Sequence, residues 1–236
     1  MEITDPTWTN FYKISGVATM VMMVLFLFDV ICWIALGPYP STAEGWFTLL
    51  QENRLVGFLL LSFATFFGMI LYYLTFLGLY RILRQVNTAY AALAALLAFV
   101  GLAILLVTNM AYTMVHLSNQ YAVATTEAQR VLILSAGETK IATAVTSVNI
   151  GGFLVEGAAV IFSLLMLRSD VFGKKIASLG ILGHGLDLIR IIMILSFLPE
   201  RIGTILLMIG GLPQLIWLFM VGRRFFQLAQ VRLSDS

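Results

Sequence analysis

His184, Asp187 and Arg190 stand at i, i+3 and i+6 inside one apolar run, Ile176–Leu198. On a helix that spacing stacks the first two along one face, where an acid one turn away can orient an imidazole that takes or gives a proton. Two more acids, Asp29 and Glu156, interrupt other apolar runs. A charge in hydrocarbon costs at least about 2.5–3.5 kcal/mol on insertion scales, so all five residues need partners, water or a function. At a helical rise of 1.5 Å, Asp187 and Glu156 each come out about 16 Å from the inner ends of their runs, and Asp29 and Arg190 a little above about 20 Å. Matching depth predicts that Arg190 is neutralised by Asp29 or by Asp187, and that Glu156 lies nearer His184 and Asp187. Three acids against one obligate cation leave an excess. Crowded carboxylates in a low dielectric do not all stay ionised, so at least one of Asp29, Glu156 and Asp187 is expected to hold a proton near neutrality. That chemistry suits a proton relay or coupled transporter, or a polar ligand pocket. The alternative is a satisfied buried network that fixes helix register.

Other chemistries find less support. His116 belongs at the outer end of its run with Asn109 and Thr113 on nearby turns, at a different depth from His184, so the two histidines do not bracket a haem. A catalytic zinc usually takes three protein ligands, which two separated histidines do not supply. No metal or cofactor is therefore expected. No serine lies in a glycine-rich nucleophile turn with a matching histidine. The single cysteine, Cys32, can form no intramolecular disulfide and reads as a small packing residue.

The elements that carry these residues are membrane spans. The 236 residues are 60% hydrophobic and 11% charged, with a mean hydropathy of +0.96, whereas soluble domains are typically about 45–50% apolar and about 25% charged. Six apolar runs are each long enough to cross a hydrocarbon core of about 30 Å: Ile14–Leu36, Leu55–Tyr80, Tyr90–Leu117, Ile141–Leu167, Ile176–Leu198 and Ile202–Gly222. The expected fold is an all-α, six-helix transmembrane bundle forming a single domain over residues 1–236. Nine basic residues (Lys13, Arg81, Arg84, Arg168, Lys174, Lys175, Arg223, Arg224 and Arg232) fall on one side and four (Arg54, Arg130, Lys140 and Arg201) on the other. The positive-inside rule then puts both termini in the cytoplasm. Basic residues at helix ends report topology, not nucleic-acid binding. Glu2 and Asp5 ahead of a long first run argue against a cleaved signal peptide.

Both longer connections lie outside and carry helix signals. Gly37-Pro38-Tyr39-Pro40 ends the first span. Ser41-x-x-Glu44 then reads as a capping box ahead of Trp46, Phe47, Leu49 and Leu50, which suggests a short interfacial helix, a lid or a plain connector. Thr126-x-x-Gln129 repeats the device before Val131–Leu134, with a stop expected at Gly137. Ala91, Ala92, Ala94, Ala95 and Ala98 make a close-packing face, and Gly151, Gly152, Gly157, Gly180, Gly183 and Gly185 extend the same logic. Gly183-His184-Gly185 could also loosen its helix. Pro213, within Gly210-Gly211-Leu212-Pro213-Gln214, removes a helix hydrogen bond and predicts a kink, either a hinge or a packing bend. Three spans precede and three follow the second outer loop, but the halves do not align as a repeat.

The turn Leu79-Tyr80-Arg81-Ile82-Leu83-Arg84-Gln85-Val86-Asn87, leading into the alanine-rich span, and the segment Leu165–Lys175 with its Leu-Arg-Ser-Asp-Val-Phe-Gly-Lys-Lys turn resemble a prokaryotic family of small six-helix integral membrane proteins described as a domain of unknown function. The resemblance implies that fold, topology and a multi-pass place in the inner membrane, and supplies no catalytic residues. The leading functional expectation is a non-enzymatic protein that binds, and can transport, a small polar or amphiphilic ligand or a proton. Its site would lie among spans one, four and five, with Asp29, Glu156, His184, Asp187 and Arg190 as its residues. The rival is an accessory or scaffold subunit that meets a membrane-protein partner or its own copies. Third comes an intramembrane lipid-modifying enzyme with His184 as base and Asp187 as orienter.

Overall fold

The computed structural model describes residues 6–195 and 200–230. Among them the regular structure is all helical: α1 Pro6–Leu36, α2 Ala43–Glu52, α3 Arg54–Leu60, α4 Phe63–Leu83, α5 Thr88–Thr108, α6 Ala111–Val123, α7 Glu127–Met166, α8 Lys174–Leu195 and α9 Glu200–Gln230. Six of these pack in chain order as a closed ring, α1 on α4, α4 on α5, α5 on α7, α7 on α8, α8 on α9, and α9 back on α1. Five stretches of the described residues are long and apolar enough to cross a membrane: Trp8–Leu36, Arg54–Leu83, Thr88–Val123, Glu127–Met166 and Lys174–Ile194. The end of the expected fifth span at 196–198 lies outside the described residues, as do Glu2, Asp5 and Arg232.

The distribution of polarity is that of a protein embedded in lipid. Large apolar side chains face outward, among them Ile14, Val24, Ile31, Leu96, Val107 and Ile189, while Ser15, Thr19, Thr75, Ser163, His184 and Asp187 are buried. With no water to satisfy them, the inward hydroxyls tie helices together. Ser15 donates to the Leu74 carbonyl at 3.0 Å, and the Thr19 and Thr75 hydroxyls meet at 2.8 Å, which fixes α1 on α4. Tyr73 donates across to the Phe99 carbonyl of α5 at 3.1 Å. Arg81, expected to flank the membrane, is instead fully buried with its guanidinium over the Trp8 ring at 5.1 Å.

Two of the expected spans are not single helices. Span two breaks at Leu61-Ser62, where Ser62 takes a left-handed φ of 53°, and span three breaks at Asn109-Met110, where the Asn109 side chain accepts from the Ala111 amide at 2.9 Å. Between the breaks and the tight turn at 84–87, α4 and α5 have 21 residues each, about 30 Å, which is one hydrocarbon thickness. The breaks therefore stand at one level, and what lies past them forms a cap.

The cap is built by α2, α3, α6 and the first turns of α7 around Trp46, Phe47, Leu50, Leu60, Leu61 and Met114. The first interfacial helix thus exists as α2, but Trp46 and Phe47 are buried in the cap rather than laid on a membrane surface. Its N-cap is Thr42, which accepts from Gly45, not Ser41 with Glu44. A carboxylate from another helix, Glu138 of α7, accepts the Ala43 amide at 2.7 Å and completes the cap in trans. The second box is present as read, Thr126 with Gln129, yet it opens a continuous helix of 40 residues. Gly137 does not stop that helix. It admits α2, since a Cβ there would lie 2.6 Å from the Ala43 Cβ and 2.9 Å from the Phe47 ring.

Candidate functional site

Three helices converge on one polar seam. Glu156 and Ser163 are seven apart on α7, Gly180, His184 and Asp187 follow at four and three on α8, and Gly210, Gln214 and Trp217 do the same on α9, so each helix aims its set along a single face. The helices come close because of glycine. A Cβ on Gly183 would meet the Gln214 backbone nitrogen at 2.8 Å and the Gly210 carbonyl at 3.1 Å, both backbone atoms that cannot yield. Helix α8 runs unbroken through Gly183-His184-Gly185, so these glycines allow approach and do not loosen the backbone.

At the centre His184 Nδ1 lies 2.6 Å from Glu156 Oε2. The Gln214 amide donates to that same oxygen at 3.2 Å and to the Gly183 carbonyl at 3.3 Å, which locks α9 onto both other helices. The His184 side chain is 3% exposed and that of Glu156 15%. The Trp217 ring stands edge-on to the imidazole at 4.7 Å between centroids. His184 Nε2, Trp217 Nε1 and the Ser163 hydroxyl are buried without hydrogen-bond partners. Gly180 faces the last two, for a Cβ there would collide with both. One turn along α8, Asp187 accepts from Arg190 Nε, an ion pair within the helix.

The seam lies about 15 Å from the basic turns by helical rise, near the middle of a bilayer. A carboxylate bonded to one imidazole nitrogen can share a proton with it, and the other nitrogen is left to pass a proton or bind a donor. Among the described residues no group of three His, Cys, Asp or Glu side chains is arranged to hold a metal ion.

Asp29 belongs elsewhere. Instead of pairing with Arg190, it accepts the Thr65 backbone amide at 2.9 Å and the Thr65 hydroxyl through one oxygen, Oδ2. Ser62, at the N-cap of α4, makes no side-chain capping bond, so Asp29 caps that helix from α1. An acid at the positive end of a broken helix is stabilised by the helix dipole. The third helix of the seam is therefore α9 in place of α1. His116 is exposed on α6 in the cap, apart from His184. Pro213 stands inside α9 beside Gln214, at the level of the seam.

Gln214, Trp217 and Ser163 escape a reading based on charge because they are neutral. The available signal was Gln214 as the single amide in an otherwise apolar run, next to the proline. Among known proteins, no family model, curated sequence or solved structure matches this chain.

Proposed function

We propose that this is a non-enzymatic six-span protein of a prokaryotic plasma membrane, with both ends of the described chain on the cytoplasmic side, that binds a proton or a small polar ligand at the α7–α8–α9 seam and can carry it. The observation behind this reading is the hydrogen bond between Glu156 and His184, closed by Gln214 and leaving His184 Nε2 buried and unpartnered. A network meant only to hold helices together would be expected to satisfy that nitrogen as well. The Asp187–Arg190 pair next to it offers both charges to a zwitterionic or protonated guest without adding net charge to the bilayer. The resemblance to the six-helix prokaryotic family belongs to the same reading. So does the placement of α9, whose 31 residues close the ring, as the sixth span.

The test uses the full chain reconstituted in vesicles with a trapped pH dye, together with mass spectrometry of small molecules retained after mild solubilisation. Wild type should dissipate an imposed pH gradient or retain a stoichiometric polar compound. Glu156→Gln, which keeps the hydrogen-bond acceptor but cannot ionise, should lose that behaviour while melting as wild type does. A folded Glu156→Gln protein indistinguishable from wild type in both measurements would reassign the seam to structure alone.

A further inference from the structure

The break in the second span leaves one polar atom that the seam does not use. Asp29 is 9% exposed, its Oδ2 is taken by Thr65, and its Oδ1 is buried with no hydrogen-bond partner. Asp29 lines a cavity of about 340 Å³ between α1, α3 and the start of α4, whose wall includes Phe28, Phe58, Phe63, Leu55 and Leu59. That volume lies within the range of small-molecule pockets, about 300–1,000 Å³. Leu55 and Phe28 are 69% and 43% exposed, so the wall reaches the outward, lipid-facing surface and the cavity can be entered from the side.

The electrostatics at Asp29 are opposed: burial against an apolar wall works against a bare charge there, which an incoming cation would relieve. The Thr65 amide and hydroxyl and the positive end of the 21-residue α4 all favour Asp29 as a carboxylate. No lysine, arginine or histidine is part of the wall. The Phe28 and Phe63 rings can receive a cation on their faces, as Phe58 already does with the Arg54 guanidinium at 5.8 Å. We propose that this cavity binds an apolar organic cation, a protonated amine on a hydrocarbon body, with its N–H donating to Asp29 Oδ1 and its chain lying against Phe28, Phe58 and Phe63. A phosphate-bearing headgroup fits less well, because it would bring a second anion to Asp29.

The test is saturable binding of dodecylammonium to the full chain in phosphatidylcholine nanodiscs, measured by calorimetry against empty discs, with dodecanol as the neutral isostere. Dodecylammonium should saturate the wild-type protein, and dodecanol should bind at least about tenfold more weakly. Asp29→Asn still accepts from Thr65 but carries no charge, and should weaken dodecylammonium binding to a similar degree. Leu59→Trp fills the cavity with Asp29 intact and should do the same. Glu156→Gln, which disables the seam, should bind dodecylammonium as wild type does, so failure of one site is distinguishable from failure of the other. Equal binding of dodecanol and dodecylammonium, wild-type binding by a folded Leu59→Trp protein, or no saturation above empty discs would overturn the proposal. Should Asp29→Asn lose helical circular dichroism, the Leu59→Trp and dodecanol arms decide it.

Discussion

At the scale of single residues, the energetics of the seam turn on Glu156. Its Oε2 meets both His184 and Gln214, so Glu156→Leu would strand the buried His184 Nδ1 and leave the Gln214 amide only its bond to the Gly183 carbonyl. A stranded buried group costs about 1–3 kcal/mol, and thermal unfolding in detergent should show a clear drop in melting temperature. Gln214→Leu removes one bond to Glu156 and one to the Gly183 carbonyl, and should fall between Glu156→Leu and wild type. A Glu156→Leu chain that melts like wild type would mean that the seam contributes nothing to stability. The charged members of this arrangement were legible from sequence, because ionisable residues in apolar runs must be accounted for. Helical depth arithmetic sorted Glu156 toward His184 and allowed Asp187 as the partner of Arg190. The same arithmetic misdirected Asp29, because depth carries no azimuth: α9 stands between α1 and α8 in the ring, and Asp29 turns to the start of α4 instead.

At the scale of elements, glycine decides how near α8 and α9 come. Gly183→Ala would press a methyl into the Gln214 and Gly210 backbone, an overpacking that typically costs about 1–3 kcal/mol. Gly185→Ala meets nothing within 4 Å and should be neutral or mildly stabilising in the same melting assay. If both substitutions behave alike, the crossing is not set at Gly183. The cap offers a parallel case. Glu138→Ala removes the carboxylate on the first amide of α2, a capping loss of about 1 kcal/mol, and should speed hydrogen exchange at the start of α2 while leaving α8 and α9 unchanged. Hydropathy located the long helices well, but it could not see the breaks at Ser62 and Asn109. Neither carries a glycine or proline, and both are held by side-chain acceptors, Asp29 and Asn109 itself, of which one comes from a different helix. Gly137 misled in the opposite sense, because a residue that often stops helices here serves a close contact.

At the scale of the whole molecule, the proposed orientation can be checked with single cysteines in a Cys32→Ala background. Thr125→Cys, just before the long helix α7, should react with a membrane-impermeant thiol reagent on intact cells. Asp170→Cys, in the turn between α7 and α8, should react only after permeabilisation; the reversed pattern would invert the orientation. The ring itself has a consequence for how the chain is made. Its closing contact joins α1 to α9, and at synthesis rates of about 5–20 residues per second the first of these helices waits roughly ten to thirty seconds for the other. During that wait the α1 hydroxyls of Ser15 and Thr19 can already be satisfied by α4 and by α1 itself. Among the contacts of α1 that wait for α9 are apolar ones, Gly16 against Phe226, Met20 against Gly222 and the Tyr12 ring stacked near Phe225, for which lipid chains are an adequate stand-in. The polar bonds of α1 to α4 and of α7 to α8 can therefore form before α9 emerges, and of the contacts that wait for it, these against α1 are ones a bilayer can keep open at little cost.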